Sequence, residues 1–366
     1  MPCSTSWGWR TIIFSSTTSV AERRSPLSWL RRGAWLGVCV LLLTGCDRRP
    51  REIAFSGTAF ATSYQVKIVD PGAAFSADIV PGAVQALLDE LDLTLSTYKP
   101  DSELNRFNRQ PVGKPFVASA TLWQILEVSK RIHELSEGAF DPTVRPLVDL
   151  WGFGPVDTGD RIPTDAEIAA QKKKLGFDKI ELKAGNTLVR RADVTLDLSA
   201  IAEGYAADRM AALLENLGAT NYMTGIAGAI RVAGRNRDGQ PWRIAVERPN
   251  QNPGEVEQVL RASDIGLSTS GDYRNYFERD GVRYSHEIDP RTGRPITNNL
   301  ASITVFAATA AEADALATAL MVMGPERARR FGEANDLALF LVTRERDGFA
   351  ESHTSQLNPY LSEQRR

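Results

Sequence analysis

Apolar positions recur with two spacings along the chain, and each spacing predicts one kind of element. Between Ile53 and Val69 the pattern is typical of a strand, with Tyr64, Val66 and Ile68 at alternate positions. Apolar residues at helical spacing predict four helices, at 84–95, 120–135, 200–217 and 310–321. Short strands are predicted around Tyr222, Trp242–Val246, Val259, Arg283–Ile288 and Ser302–Phe306, and a helix–strand pair is predicted to end near Val342.

These elements mix helices and strands without a regular alternation of strand and helix. That order favours an α+β fold. The chain shows no repeat and no clear interdomain linker, and its tail after Gly348 is polar. We therefore predict one compact domain.

The N-terminal segment is typical of an export signal. A basic pair at 31–32 precedes an apolar run of 11 residues, Gly33–Leu43, which is too short to cross a bilayer as a helix. The run ends in Leu-Thr-Gly-Cys, which resembles the lipobox of bacterial lipoproteins, and Asp47 resembles the signal for retention in the inner membrane. We predict a signal peptide at 1–45, lipidation of Cys46, and a tether at 46–55 leading to a domain at 56–360. The expected location is the periplasmic side of the inner membrane.

Charge and composition exclude several functions. Of 43 Lys+Arg and 45 Asp+Glu, five arginines and one glutamate lie before Cys46, which leaves 38 basic and 44 acidic residues in an acidic body. Such a body has no electrostatic footprint for nucleic acid. The three cysteines all lie at or before Cys46, and there are only three histidines. Cysteine or histidine metal sites are thus excluded, and a metal would need oxygen ligands, as Mg²⁺ and Ca²⁺ prefer.

Two polar segments in the second half of the chain are candidates for chemistry. His286 is expected in a strand before the turn-rich sequence Asp-Pro-Arg-Thr-Gly, and it is either a proton carrier or a structural hydrogen-bonding residue. Ser268–Arg274 is either a phosphate-binding loop or an ordinary hairpin turn at its Ser-Gly-Asp. Alone, neither segment decides between these alternatives.

Three further segments carry candidate ligands. Asp197, expected at the end of a strand, precedes a helix whose free N–H groups favour anions, but it also suits a simple helix cap. Asp314 and Thr318 share one helix face, as Mg²⁺ ligands or as a solvated edge. Gly138–Val144 leads to an aromatic and glycine-rich stretch that would stack on a planar ring or line the core.

Taken together, the order and spacing of these segments resemble the FAD:protein FMN transferase (ApbE) family. The resemblance runs from residue 56 to about 360. It rests on the following blocks: Ser56-Gly57-Thr58, Leu95–Tyr98, Ser102–Asn108, Gly138–Thr143, Asp197–Ser199, Pro241–Arg243, Thr269–Tyr273, His286–Pro290 and Ala313–Thr318. It implies a single domain with mixed or antiparallel sheets flanked by helices.

The resemblance also implies roles for individual residues. Mg²⁺ would be held by Asp314, Thr318 and the backbone carbonyl of Ala200. His286 would accept the proton of the incoming hydroxyl, with Asp289 orienting it. The residues that would contact FAD are Phe60, Tyr98, Ala139, Phe140, Asp141, Asp197, Glu203 and Ile288.

The implied reaction transfers FMN from FAD to a Thr or Ser hydroxyl of a target protein through a phosphoester bond and releases AMP. Implied acceptors are exported flavoproteins and subunits of membrane redox complexes. The chain departs from the family pattern at Phe60, at Ala227 and at Ala317, where some relatives carry a second carboxylate near the metal. Two alternatives remain: a non-catalytic periplasmic FAD-binding lipoprotein, and a Mg²⁺-dependent FAD pyrophosphatase that yields FMN and AMP.

Overall fold

Eight antiparallel strands form the main sheet of the computed structural model, in the order β1-β2-β6-β7-β10-β15-β16-β17. The structure describes residues 50–72, 75–155, 161–250, 254–273 and 275–361, all within the compact unit Arg49–Arg366. The strands are β1 (Glu52–Ala59), β2 (Thr62–Val69), β3 (Pro115–Val117), β4 (Ile180–Lys183), β5 (Thr187–Arg190), β6 (Tyr222–Ile226), β7 (Ala229–Ala233), β8 (Trp242–Glu247), β9 (Val256–Ala262), β10 (Ile265–Gly271), β11 (Tyr276–Arg279), β12 (Val282–Ser285), β13 (Ile288–Asp289), β14 (Arg294–Pro295), β15 (Leu300–Ala307), β16 (Ala338–Glu345) and β17 (Gly348–His353).

The helices of the described residues are α1 (Val80–Leu95), α2 (Glu103–Asn108), α3 (Ala120–Leu135), α4 (Arg145–Leu150), α5 (Asp165–Lys172), α6 (Ser199–Asn216), α7 (Ala310–Met323) and α8 (Pro325–Ala334). Short 3₁₀ turns occur at Phe177–Lys179 and Ser355–Tyr360. In the part of the chain that the structure describes, no helix has both the length and the apolar character needed to span a membrane.

The main sheet buries both of its faces. Alternate residues of β16 show this: Leu339 and Leu341 belong to the core shared with α1, α3, α6 and α7, whereas Phe340 and Val342 belong to a second core. Successive side chains of a strand point to opposite faces, so each strand contributes to both cores. The β8–β9 hairpin and the turn Ser355–Tyr360 supply the cover on the second face.

A third apolar cluster connects the α4 region with the strands on either side of His286. It joins Leu147 and Trp151 from the α4 region to Phe277 and Ile288 from β11 and β13. The indole Nε1 of Trp151 donates a hydrogen bond to the carbonyl of Gly293 at 2.9 Å. The loop after α4 is thereby fixed against the turn-rich segment that follows His286.

The predicted helices are present, and α3 has the predicted bounds. The predicted strand from Ile53 to Val69 is instead two strands, because Phe60 (φ 52°) and Ala61 (φ 59°) reverse the chain between β1 and β2. Two consecutive left-handed residues make the tight turn that matches strand twist. Since β1 begins at Glu52, residues 52–55 of the predicted tether belong to the folded unit. Cys46 and the predicted signal peptide lie outside the described residues.

Other expectations change more strongly. Residues 268–271 are not a loop but the end of β10, which pairs with β15 along this stretch and with β7 as far as Ser268. No strand ends at Asp197, because the amide of Leu196 donates to the side chain of Asn108 and that of Asp197 to the carbonyl of Pro142. The polar tail contributes β17, an edge strand.

Candidate active site

The contact between α6 and α7 brings the predicted metal ligands together. Gly204 of α6 lies so close to α7 that an added Cβ would be 2.3 Å from the carbonyl oxygen of Ala310 and 2.7 Å from Cβ of Asp314. Only glycine permits this approach, because both neighbours belong to another helix and cannot rotate away. The alanines of α7 are buried by this close packing.

Asp314 is held by donors from two other elements. Its Oδ2 accepts a hydrogen bond from the backbone amide of Gly204, and its Oδ1 accepts one from the hydroxyl of Ser268, both at 2.9 Å. Burial raises the pKa of Asp314 to about 7, and the charges of Asp208 and Glu287 also raise it. A buried carboxylate beside other carboxylates is costly unless a cation balances it.

The donors around Asp314 suit a hard cation. In a regular helix the amide of Gly204 faces the carbonyl of Ala200, so Asp314 lies at the helical turn that Ala200 begins. Thr318 lies one turn beyond Asp314 on α7 and is half-buried. Each oxygen of Asp314 keeps a lone pair after its one hydrogen bond. Carboxylate, hydroxyl and carbonyl oxygens are the ligands that Mg²⁺ prefers. Among the described residues no group of three or more His, Cys, Asp or Glu side chains forms a metal cluster.

The start of α6 is joined to the loop at 138–143. Oδ1 of Asp197 accepts from the amide and the hydroxyl of Ser199, at 2.9 and 2.6 Å, while its own amide binds the carbonyl of Pro142. Asp141 uses the same local arrangement with the amide and hydroxyl of Thr143. The N-cap of α6 is Leu198, so Asp197 does not cap the helix; its Oδ1 closes a turn onto Ser199, the first residue of α6.

An aromatic side chain projects next to this loop. Tyr98 is 67% exposed, and partial burial raises its pKa, with further contributions from the charges of Asp197 and Asp149. Asn105 holds the backbone around the ring by donating to the carbonyls of Ser96, Thr97 and Lys99. The ring is thus presented on a fixed backbone, close to Asp197.

Asn105 also borders a cavity of about 580 Å³. Its lining includes Arg145, whose guanidinium donates to Oδ1 of Asn105 at 2.8 Å, and Asp149. None of the residues predicted for the site lines this cavity. The cavity therefore neighbours the Tyr98 loop and does not include Asp314.

His286 lies one residue beyond β12 and not inside a strand. Its ring Nδ1 and its backbone amide both lie 3.0 Å from the carbonyl oxygen of Asn275. A carbonyl only accepts, so Nδ1 carries the proton and Nε2 keeps its lone pair. The edge of the ring meets Phe153, with centroids 6.4 Å apart. The imidazole ring is thus fixed in position by Asn275 and Phe153, and its unprotonated Nε2 can act as a base on a half-exposed side chain.

The ApbE family model matches residues 60–341. A curated FAD:protein FMN transferase of Vibrio cholerae is 42% identical over 324 residues, which cover 88% of this chain and 97% of that protein. This chain belongs to the ApbE family. The FAD:protein FMN transferase of Escherichia coli K12 is 39% identical, with 88% of this chain and 95% of that protein covered.

Solved structures of ApbE proteins agree with the fold. A structure described as flavin transferase ApbE from Vibrio cholerae has a TM-score of 0.79 at 40% identity and covers 85% of this chain and all of that one. The apo form of Pseudomonas stutzeri flavinyl transferase ApbE has the same TM-score at 38% identity, covering 85% and 97%. The predicted family, the α+β fold and the transferase class are confirmed.

Within this ApbE chain the predicted residues fall into distinct places. Four of them lie at the contact between α6 and α7: Ala200 and Glu203 on α6, and Asp314 and Thr318 on α7. Glu203 is partly buried and directly precedes Gly204. Ala139 and Phe140 are buried, and their backbone amides already donate to Ser136. Phe60 lies in the β1–β2 turn, and Ile288 is buried in β13. Their roles as flavin contacts, and those of Tyr98, Asp141 and Asp197, stay predictions.

Asp289 does not orient His286 in this structure. Its Oδ1 accepts from the amide and Nε of Arg291 at 2.9 Å, and its Oδ2 accepts from the same guanidinium at 3.0 Å. Asp289 therefore shapes the turn after β13. The carboxylate near His286 is that of Glu287, whose Oε1 lies 3.9 Å from Nε2. Sequence reasoning assigned it no role, although its place beside the histidine was a usable signal.

Proposed function

We propose that this chain is an FAD:protein FMN transferase that attaches FMN through a phosphoester bond to a Thr or Ser hydroxyl and releases AMP. The observation that carries the proposal is the pair of chemical groups retained in an ApbE fold: the buried carboxylate of Asp314 and the free Nε2 of His286. A protein that only binds flavin needs neither group. Relatives that bear the transferase name over nearly the whole chain support the same reaction.

In the proposed reaction the acceptor hydroxyl oxygen attacks the phosphorus of the FMN half of FAD. The new P–O bond replaces the bond to the AMP phosphate, and AMP leaves with the bridging oxygen. Nε2 of His286 takes the hydroxyl proton, since Nδ1 is held protonated by the carbonyl of Asn275. The exposed ring of Tyr98 offers a stacking surface for a planar ring of FAD, and its fixed loop limits the loss of entropy on binding.

Mg²⁺ belongs to the same proposal. Asp314, Thr318 and the carbonyl of Ala200 would hold it, and their all-oxygen chemistry and the uncompensated charge of Asp314 fit the ion. When bound, Mg²⁺ supplies positive charge against the pyrophosphate and the leaving AMP. With Ala317 in place of a second carboxylate, we expect a weaker site than one with two acids.

We further propose that the chain is a lipoprotein anchored through Cys46 on the periplasmic side of the inner membrane. There it would meet its acceptors, exported flavoproteins or subunits of membrane redox complexes. Support comes from the lipobox-like Leu-Thr-Gly-Cys and from Asp47. Labelling of cells with a radioactive fatty acid tests the anchor: label on the wild type but not on C46S is expected, and equal label on both would exclude it.

The decisive experiment mixes the chain beginning after Cys46 with FAD, Mg²⁺ and an exported flavoprotein domain, with and without EDTA. Intact-protein mass spectrometry should show the acceptor gaining one FMN phosphoester only when Mg²⁺ is present. An acceptor whose reactive threonine is replaced by valine is the matched control. FAD cleaved to FMN and AMP with no gain on several acceptors would favour the pyrophosphatase. FAD bound but intact would favour the binding lipoprotein.

A further inference from the structure

Glu287 is a buried acid that the proposed reaction leaves unused. It is 6% exposed, and its backbone carbonyl accepts from the amide of Ile296. Among the residues that the structure describes, none donates a hydrogen bond to its carboxylate, and the basic nitrogen within 4 Å of it is Nε2 of His286, at 3.9 Å. A buried carboxylate without hydrogen bonds is destabilising, so its position calls for a functional reason.

The other charges near Glu287 are mostly negative. Burial raises its pKa; His286 acts to lower it, and Asp272 raises it. Asp272 is already neutralised by two bonds from Arg344, and Asp314, whose pKa is affected by Glu287, is also an acid. Among the described residues whose charge acts on Glu287, the one that can balance the negative charge of its carboxylate is therefore His286 in its protonated form.

We propose that Glu287 is a positioning residue whose carboxylate stabilises the imidazolium formed when His286 takes the proton of the acceptor hydroxyl. The inference rests on the proposed transferase function. The carboxylate has no proton to donate, so the Nε2 lone pair stays open to the hydroxyl, and at 3.9 Å the carboxylate is close enough to attract the positive charge that appears there. The proton moves from the hydroxyl oxygen to Nε2 as the P–O bond to the acceptor forms and the P–O bond to AMP breaks.

The first test follows protonation of His286 directly by NMR of the full-length protein, labelled only at histidine. The chain has three histidines, and H286N assigns the resonance. In E287Q the midpoint of the His286 titration should fall by about one pH unit, because the imidazolium loses its counter-charge. The resonances of His133 and His353 should not move, which checks that the variant is folded.

An unchanged midpoint in E287Q would overturn the proposal, whatever the protein does with FAD. If E287Q does not fold, E287A replaces it: it also removes the carboxylate, so the midpoint should fall in the same way, and an unchanged midpoint would contradict the inference. These readouts need no FMN transfer. A failed transfer assay with a shifted midpoint would therefore remove the proposed function and leave the His286–Glu287 interaction standing.

The second test is the pH profile of FMN transfer. Activity requires neutral His286, so the acid side of the profile in E287Q should move to lower pH by about one unit, and the plateau should fall several-fold because the base is weaker. E278Q is the matched control: it removes an exposed carboxylate from the β11–β12 hairpin, and its acid side should stay in place. A lower plateau in E287Q with an unmoved acid side would show a purely structural role.

Discussion

At the residue scale, Asp314 combines contacts that no local sequence window contains. The amide of Gly204 and the hydroxyl of Ser268 come from positions 110 and 46 residues away, and each binds one carboxylate oxygen. The donors orient the carboxylate but do not neutralise it. A site built in this way is electrostatically incomplete without a cation.

The variant D314N tests that reading. Its amide oxygen can accept from Gly204 and its NH₂ can donate to a rotated Ser268 hydroxyl, so the fold should be kept. Wild-type protein should gain thermal stability in Mg²⁺, by about 2.7 kcal/mol at a concentration of 100 Kd, and D314N should gain none. Calorimetry measures both. D280N, an exposed change in the β11–β12 turn, is the control and should keep the gain.

Asp314 also predicts a pH dependence in metal-free protein. Because its folded pKa is raised to about 7, far above the value near 3.9 of an unfolded aspartate, its proton stabilises the folded state. This contribution is fully present below about pH 4 and is lost as the pH rises through 7. In EDTA, the free energy of unfolding of wild type relative to D314N should therefore fall between pH 4 and pH 8, by at most about 4 kcal/mol. Parallel urea-unfolding results at both pH values would contradict this.

At the element scale, the contact between α6 and α7 depends on an absent side chain. Gly204 lies opposite the main chain of Ala310, and Asp208, one turn later, accepts from the amides of Ala310 and Ala311. The start of α7 is thus capped by α6 as well as by its own Thr309. These hydrogen bonds fix the position of α7 along α6, and so the position at which Asp314 contacts Gly204.

We expect G204A to lose both stability and metal binding. The new methyl group would lie 2.3 Å from a backbone oxygen, so the helices must separate, at a cost of about 1–3 kcal/mol. Asp314 would then move away from the amide of residue 204. G82A in α1 is the matched control, because nothing lies within 4 Å of its added Cβ; it should be neutral or stabilising by up to about 1 kcal/mol. Urea unfolding and Mg²⁺-dependent thermal shifts measure both variants.

The β1–β2 turn allows flavin contact to be separated from folding. Ala61 is left-handed, so A61G should stabilise the hairpin by roughly 0.5–1 kcal/mol and leave FAD affinity unchanged. F60N also suits a left-handed position but removes the ring. If Phe60 contacts FAD, F60N should weaken FAD binding in a fluorescence titration several-fold. Equal affinity in F60N and wild type would remove Phe60 from the site.

At the scale of the whole molecule, sequence patterns predicted what local spacing determines. The helical spacing of α3 was sufficient, because its buried residues lie on one face, which packs on other helices. In α7 nearly every residue is buried, on all sides of the helix. The Phe60–Ala61 turn lacked the usual Asn-Gly signal, so two strands were predicted as one. Short elements such as α2 escaped prediction because side-chain contacts from distant residues, not periodicity, stabilise them.

The sequence identified which residue types form the site, but not which of those residues contact one another. The polar residues were found because they form compact motifs, which also identified the family. The carboxylate that lies near His286 is determined by the turn after β13. In that turn Arg291 donates a hydrogen bond to Asp289, so the side chain of Asp289 is held there and not beside the histidine. The same limit applies to Ser268, whose segment has turn chemistry in isolation but lies between two strands of the main sheet. In both cases the position of the side chain depends on residues that contact it in the folded structure, and a local stretch of sequence does not show them.

The bonds from α6 to the start of α7 have a consequence for amide exchange. The first amides of most helices have no acceptor within the helix and exchange quickly with solvent. Here the amides of Ala310 and Ala311 are covered by the carboxylate of Asp208, and that of Gly204 by Asp314. Exchange of the Ala310 and Ala311 amides therefore reports the parting of two helices and not the fraying of one, and these two hydrogens should be replaced by deuterium together, as one cooperative opening.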